Sequence, residues 1–244
     1  MNIVAVYKWA RDPEDAAVRA DGTIDWRGAR MAAGEDDPAA LATALEIAAV
    51  SGGSAIGLTL GDGDASWALA RGALQTVSVA DAPALPDNAA TAAIVAAAVR
   101  FIGDVQLVVI GNAEAYPGVA PAVAAALGWP VVLGLSSASF SAGRISAVRR
   151  VGDEQQTLSV ALPAVLGVAA ASAEKQAPGM KEVLAARKRP IAIRPLADLA
   201  VARPALLEPR GSRVPEVGAA RIFEGDPSTA AAQLVAALRA DGVL

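Results

Sequence analysis

Five short apolar runs recur along the first half of this chain with helix-patterned text between them. The runs are Asn2–Tyr7, Ser54–Gly61, Gln75–Asp81, Val105–Gly111 and Pro130–Leu135. The stretches Pro38–Gly52, Asp64–Leu74, Asn88–Gly103 and Pro121–Gly128 carry apolar residues at helical spacing, with Pro, Asp or Asn at their starts and Gly at most of their ends. Strands joined by whole helices are crossover-connected, and crossover connections build parallel sheets with helices on both faces. The pattern therefore predicts an α/β fold: a mostly parallel, doubly wound, Rossmann-like sheet.

Two changes of pattern follow. Gly143–Ala169 alternates with period two around Gly152-Asp153-Glu154, which predicts a β-hairpin over 143–162 and then a strand at Ala164–Val168. From about Ala170 the text is weakly periodic and punctuated by proline, as in "RPLADLAVARPALLEPRGSRVPEVG". Such text reads as an extended arm. A last helix is expected over Ser228–Gly242, with a Ser cap and a Gly stop. The predicted organisation is an α/β domain over 1–199 and an arm plus helix over 200–244, laid on a partner subunit.

Composition removes several classes of function. Hydrophobic residues make up 54% of the chain, most of them alanine and valine, so a large close-packed core is available. No window reaches the ~18 uninterrupted apolar residues of a membrane span. The start, "MNIVAVYKWARD", is too short in its apolar part for a signal peptide, so a cytoplasmic protein without membrane insertion is expected. A net charge of −4 gives no basic footprint for nucleic acid. With no cysteine, thiolate nucleophiles and Cys-ligated clusters are excluded. With no histidine, Ser-His-Asp catalysis, His bases and most transition-metal sites go too. A chain that must work with carboxylates, Lys and Tyr alone is expected not to be an enzyme by itself.

Ligands of open α/β sheets bind in the turns at the carboxyl ends of the strands. The turn after Val105–Gly111 reads "GNAEAYPGVA" and offers an acid and a tyrosine but no serine, threonine or lysine. Gly61-Asp62-Gly63-Asp64 lacks the third glycine of a dinucleotide fingerprint and reads as a turn with an Asp cap. Glu35, Asp36 and Asp37 precede a helix, where acids satisfy amides and complement the dipole. Trp9, next to Lys8 at the end of the first run, is better placed than Trp67 to meet a cofactor, though core packing accounts for either ring. Arg187, Lys188 and Arg189 form a basic run that could steer an acidic partner or cap a solvated helix end.

Four pieces in order give the chain a resemblance to the β subunit of electron transfer flavoproteins, from about Asn2 to Leu199. They are the opening "VAVYKWARD", "LGWPVV" at Leu127–Val132, "VRRVGDEQQTLSVALPAVLGV" at Val148–Val168, and "GMKEVLAARKRPIAI" at Gly179–Ile193. The resemblance implies an adenine-nucleotide-binding type of fold and a heterodimer with an α subunit that holds most of one FAD. It also implies a dehydrogenase as electron donor, a redox acceptor, and AMP as a structural ligand of the β subunit. Carried over, the cofactor-facing positions are Ala5, Lys8, Trp9, Leu60, Gly61, Gly111, Gly118 and Val119. The partner-docking positions are Met180, where the family has a leucine that enters a pocket on the dehydrogenase, with Lys181, Arg187, Lys188 and Arg189. The chain departs from the family in the 111–119 loop, which is shorter and lacks the Asn-Gln-Thr-Gly that binds phosphate. Two readings stand there: an AMP site reduced to backbone amides, or a tight turn without a nucleotide. Gly34 and Asp36 replace the family's Asn and aromatic before the first helix, and the loop before Gly179 lacks its Arg-Tyr, which implies a different dehydrogenase partner. The alternative function is an adenine-nucleotide-binding sensor or switch of the same fold. An enzyme of that superfamily would have to rely on Lys8 and Asp62.

Overall fold

Branched apolar residues that alternate above and below a strand need cover on both faces, and the observed architecture supplies it. A computed structural model describes the 244-residue chain apart from residues 62, 84–86, 113–116, 170–176, 202–206, 208–209 and 211–219. In chain order the elements are β1 (Asn2–Val6), β2 (Trp9–Arg11), β3 (Ala17–Val18), β4 (Ile24–Asp25), β5 (Met31–Ala33), α1 (Asp37–Ser51), β6 (Ser54–Leu60), α2 (Ser66–Ala70) and β7 (Gln75–Val79). There follow α3 (Asn88–Ile102), β8 (Val105–Gly111), α4 (Val119–Leu127), β9 (Val131–Ser141), β10 (Arg144–Val151), β11 (Glu154–Ala161), β12 (Ala164–Val168), α5 (Met180–Ala186), β13 (Ala192–Ile193) and α6 (Pro227–Ala240).

Nine strands form one sheet in the order β11-β10-β9-β12-β8-β1-β6-β7-β13. The ladders from β13 across to β9 are parallel, and those of β10 with β9 and β11 are antiparallel. On one face Ile3, Leu107, Val109 and Leu166 pack with Leu41, Ala44 and Ile47 of α1. On the other, Val4, Val108, Ile110 and Val165 pack with Ile94, Val95 and Val99 of α3 and Val123 of α4. Each fully buried Leu, Ile or Val contributes about 1.5–3 kcal/mol of transfer free energy. The fold is thus the mostly parallel, doubly wound sheet that the alternation predicts.

The connections place the site. From β1 the chain steps through α1 to β6 and through α2 to β7, then α3 carries it back to β8 on the other side of β1. The strand order reverses between β1 and β8, and their carboxyl ends flank the crevice where such sheets bind ligands.

Several element ends differ from the sequence reading. Helix α2 spans Ser66–Ala70, not Asp64–Leu74, because Asp64 lies in the turn before it, accepting from the Ser66 N–H, and Gly72, at φ +108°, follows its last turn. Asp87, not Asn88, caps α3: its carboxylate accepts from the amides of Ala89 and Ala90. Asp226 caps α6 in place of Ser228, with Pro227 in the first turn. Strand β9 runs on to Ser141 and turns through Ala142-Gly143, both at positive φ, so β9, β10 and β11 form a meander and not a lone hairpin. The β2–β5 pair, α5 and β13 are additional.

The chain divides into two units, Met1–Ala17 with Asp25–Arg210, and Val18–Ile24 with Gly211–Leu244. The first holds the sheet and both cores. In the second, Arg221 pairs with Asp241 at 3.6 Å, and no apolar side chain among its described residues is buried. Ile222, Leu234, Val235, Val243 and Leu244 are all exposed, Ile222 to 81%. Among the described residues, no helix is long and apolar enough to cross a membrane.

Candidate functional site

The crevice between β1 and β8 is organised by a carboxylate. Lys8, just past β1, donates its backbone N–H to Asp37 Oδ2 at 2.8 Å, and Gly34 donates its backbone N–H to the same oxygen at 2.8 Å. Asp37 is the first residue of α1 and only 6% exposed. The helix-start acids therefore do not cap α1 as the sequence reading has it. Asp36, in the position before the helix, has αR geometry and no side-chain cap hydrogen bond. Asp37 binds the amides of a strand end and a turn instead. Burial pushes its carboxyl up to about 7; Asp36 adds to the rise, while the Lys8 and Gly34 amides and the Lys8 ammonium oppose it.

Across the crevice, Gly111 ends β8 against these acids. A Cβ at Gly111 would lie 2.8 Å from Asp37 Oδ1, 3.0 Å from Asp36 Cβ and 3.1 Å from the Asp36 carbonyl carbon. Packing against α1 thus requires a glycine here. Asn112 follows: its backbone N–H donates to the Val168 carbonyl at 2.8 Å, and its Oδ1 accepts from the Gly134 N–H at 3.3 Å. Residues 113–116 lie outside the described residues. Gly118 precedes α4, and a Cβ there would meet Asn88 Nδ2 at 2.5 Å. Val119, the first residue of α4, packs on the second core.

The other candidate positions separate. Ala5 lies inside the sheet, opposite Gly57 and Val109, and belongs to the first core. Leu60 packs on the second core. Gly61, at φ +70°, donates its N–H to the Val79 carbonyl and borders a distinct cleft of about 370 Å³ at the ends of β6 and β7, with Gly63, Asp64, Ser78, Ala80 and Ile193. Asp64 closes the preceding turn by accepting from the Ser66 N–H and hydroxyl, while Ala65 and not the expected Asp stands at the cap position of α2; Asp62 lies outside the described residues. Trp9 is half-buried on β2 opposite Ala33, against the first core. Trp67 is a core residue, its ring 4.8 Å from that of Tyr7 and the Arg71 guanidinium 4.2 Å above it. Burial, with Asp64 adding, holds the Tyr7 phenol above its usual range, and the hydroxyl donates to the Asp64 carbonyl at 3.2 Å. Of the eight cofactor-facing candidates, the structure brings Lys8 and Gly111 together at Asp37.

At the two described ends of the β8–α4 turn, Gly111 packs against Asp36 and Asp37 and Gly118 against Asn88.

A second cluster sits on α5, which packs on α2 through its inner face. Met180 and Leu184, one turn apart, are 74% and 51% exposed, and Lys181, Arg187 and Lys188 are exposed around them. Arg189 turns back, donating from its guanidinium to the carbonyls of Ala73, at 3.1 Å, and Leu74. Of the basic run, then, Arg189 is a tether. The sequence reading missed Leu184 and carried the helix under it only as one alternative, a solvated helix end at the basic run, although "MKEVLAARK" is rich in helix formers. It also missed Asp37 as the link between β1 and α1, and Asn88 as the cover over Gly118; both partners are remote in sequence.

A family model for the electron transfer flavoprotein domain matches residues 23–199, well over half of the chain, from β4 through α1, β8 and the β9–β11 meander to α5 and β13. The chain belongs to the electron transfer flavoprotein domain family, whose members carry electrons in association with flavin.

Proposed function

We propose that this chain is the β-type subunit of a cytoplasmic electron transfer flavoprotein. It pairs with an α subunit that holds a single FAD, and the pair takes electrons from a dehydrogenase and delivers them to a redox acceptor. The observation that carries the reading is the order of its motifs on the described fold: "VAVYKW" on β1, "LGWP" between α4 and β9, "LPAV" leading into β12, and the basic segment on α5. That series resembles the one of the family's β subunits, and its last three pieces fall within the matched residues.

Bound FAD would supply the redox chemistry, accepting and releasing electrons. The chain's own residues orient and dock. Lys8 offers an exposed cation, and Trp9 a half-buried ring, at the end of β1 towards a flavin held by the other subunit. Met180 and Leu184 on α5 supply an apolar anchor, with Lys181, Arg187 and Lys188 as a positive rim for an acidic dehydrogenase surface. The second unit, with α6 and its exposed apolar side chains, lies on the α subunit and gains its core there. A 14-residue helix without tertiary burial is marginal in water, which supports that assignment.

Co-expression with the product of a neighbouring gene tests the reading. A yellow heterodimer with flavin absorbance is the expected product. A colourless homodimer that retains AMP or ATP would sink it and favour the nucleotide-sensing module.

A further inference from the structure

Residues 8–34 form a ribbon that leaves the end of β1 and returns to the turn before α1. It stands outside the nine-stranded sheet. Its root is the β2–β5 pair, three residues a side: Trp9 opposite Ala33, Ala10 opposite Ala32 and Arg11 opposite Met31. Beyond the root, the Asp12 N–H donates to the Arg30 carbonyl at 2.8 Å, and the exposed Arg30 guanidinium pairs with Asp15 at 2.8 Å. No side chain in the ribbon is buried, and Trp9 is half-buried against the first core.

Both feet of this ribbon rest on one carboxylate oxygen. Lys8 N–H and Gly34 N–H donate to Asp37 Oδ2, each at 2.8 Å. The other oxygen, Oδ1, faces Gly111 at the end of β8. The two sides of this cover differ in what moving them breaks. Moving β8 or α1 disrupts parallel ladders and the first core. Lifting the ribbon's feet breaks two amide bonds and the Trp9 contact, and it admits water to Oδ2.

We propose that the 8–34 ribbon is a proton-operated flap over Asp37, seated when the carboxyl is protonated and released when it ionises. Burial outweighs the two amide bonds and holds the carboxyl at about 7 in the seated state. On release, water reaches Oδ2 and the carboxyl returns towards its ordinary 3.8. The seated state binds this proton more tightly, so low pH favours it. Release grows as pH rises between the two values and levels off above about 7. Among the described residues, the charged or titratable groups around Asp37 are Asp36 beside it, the exposed Glu35 in the same turn, and Tyr7 and Lys8 at the end of β1. Arg11 is the next charge along the ribbon, and β8 ends in the neutral Gly111, with Asn112 after it. Asp36 raises the carboxyl and the Lys8 ammonium lowers it. Burial holds the Tyr7 phenol above its usual range, so Tyr7 stays protonated throughout this window. The flap carries Lys8 and Trp9, and its release moves two of the candidate cofactor-facing side chains. The inference concerns this chain's own residues and does not depend on the flavin-carrier reading.

Amide hydrogen exchange by NMR on the full-length wild-type chain is the test. Protection at Lys8 and Gly34, corrected for the intrinsic pH dependence of exchange, should fall by up to about tenfold per unit from pH 5 to pH 7 and then level off. It should be lower than protection at Val4 and Val108 inside the sheet and unchanged by about 1 M urea, the signature of a local opening. Protection that does not vary with pH overturns the proposal. So does protection that matches the sheet amides and falls with urea, because the opening is then global unfolding. Asp37→Asn removes the titration and keeps an acceptor oxygen, so its Lys8 and Gly34 protection should be flat with pH; persistence of the wild-type slope contradicts the flap. Should that variant not fold, Trp9 reports on the native chain. The part of acrylamide quenching that Trp9→Phe removes should increase in the wild type from pH 5 to pH 8, and a Trp9 contribution that stays constant rules out release.

Discussion

Replacing Asp37 by Asn should flatten the pH dependence of stability, and the absence of histidine makes the effect readable. Unfolded, the carboxyl titrates near 3.8; folded, burial raises it to about 7. The folded protein therefore holds this proton more tightly than the unfolded chain does. The resulting stabilisation is complete below the unfolded value, declines as pH rises through the window from 3.8 to about 7, and is gone above it. Each pH unit inside the window is worth roughly 1.4 kcal/mol, so moving from pH 5 to pH 8 should cost the wild type about 2–3 kcal/mol through this group. A chain with no histidine and no cysteine has few other groups titrating there, and the terminal amine is common to wild type and variant. Asparagine keeps an acceptor oxygen for the Lys8 and Gly34 amides but carries no charge. Urea unfolding at pH 5, 6, 7 and 8 measures the difference. The variant's stability relative to wild type should rise by about 2–3 kcal/mol across the series. Parallel curves would show that Asp37 titrates alike in folded and unfolded chains, and would refute its burial as described.

Other substitutions probe the remaining parts. Gly111→Ala puts a methyl into the contact with Asp36 and Asp37 and should destabilise by about 1–3 kcal/mol in urea titration, since the nearest atoms include backbone. Met180→Ala with Leu184→Ala should leave stability within about 0.5 kcal/mol, both side chains being exposed, while weakening dehydrogenase binding by calorimetry about tenfold or more. Truncation after Leu206 should leave the first unit folded by circular dichroism and abolish co-purification with the α subunit; tight binding by the shortened chain would contradict the role given to the second unit.

What the sequence makes legible follows from how local each signal is. The strand–helix alternation depends on side-chain periodicity within ten or so residues, and it identifies β1, α1, β6, β7, α3, β8, α4 and β12 closely. Caps sit just outside the periodic stretch, so Asp87 is displaced from the predicted Asn88 by one residue and Asp226 from the predicted Ser228 by two. Strand β13 spans only Ala192–Ile193 and is fixed by pairing with β7, over a hundred residues away, which leaves no local pattern to read. The same holds at the site. "GEDDPAAL" reads as a helix start, and it is one, but the oxygen of Asp37 serves Lys8, 29 positions earlier. Gly111 is legible as a glycine that ends a strand; that Asp36 and Asp37 lie against it is a property of the α1–β8 packing. Arg189 looks equivalent to Arg187 and Lys188 in the sequence until the turn at Ala73-Leu74 comes within its reach.

The central claim is that this chain works as the scaffold and docking half of a two-subunit flavin carrier. Mass spectrometry of the denatured, co-purified complex, combined with its visible spectrum, tests that most directly. The account predicts a single FAD per heterodimer, lost when the α subunit is removed, and a full-length chain that is colourless by itself. Flavin or an adenine nucleotide retained by this chain alone, in a homodimer with no α subunit, would contradict it.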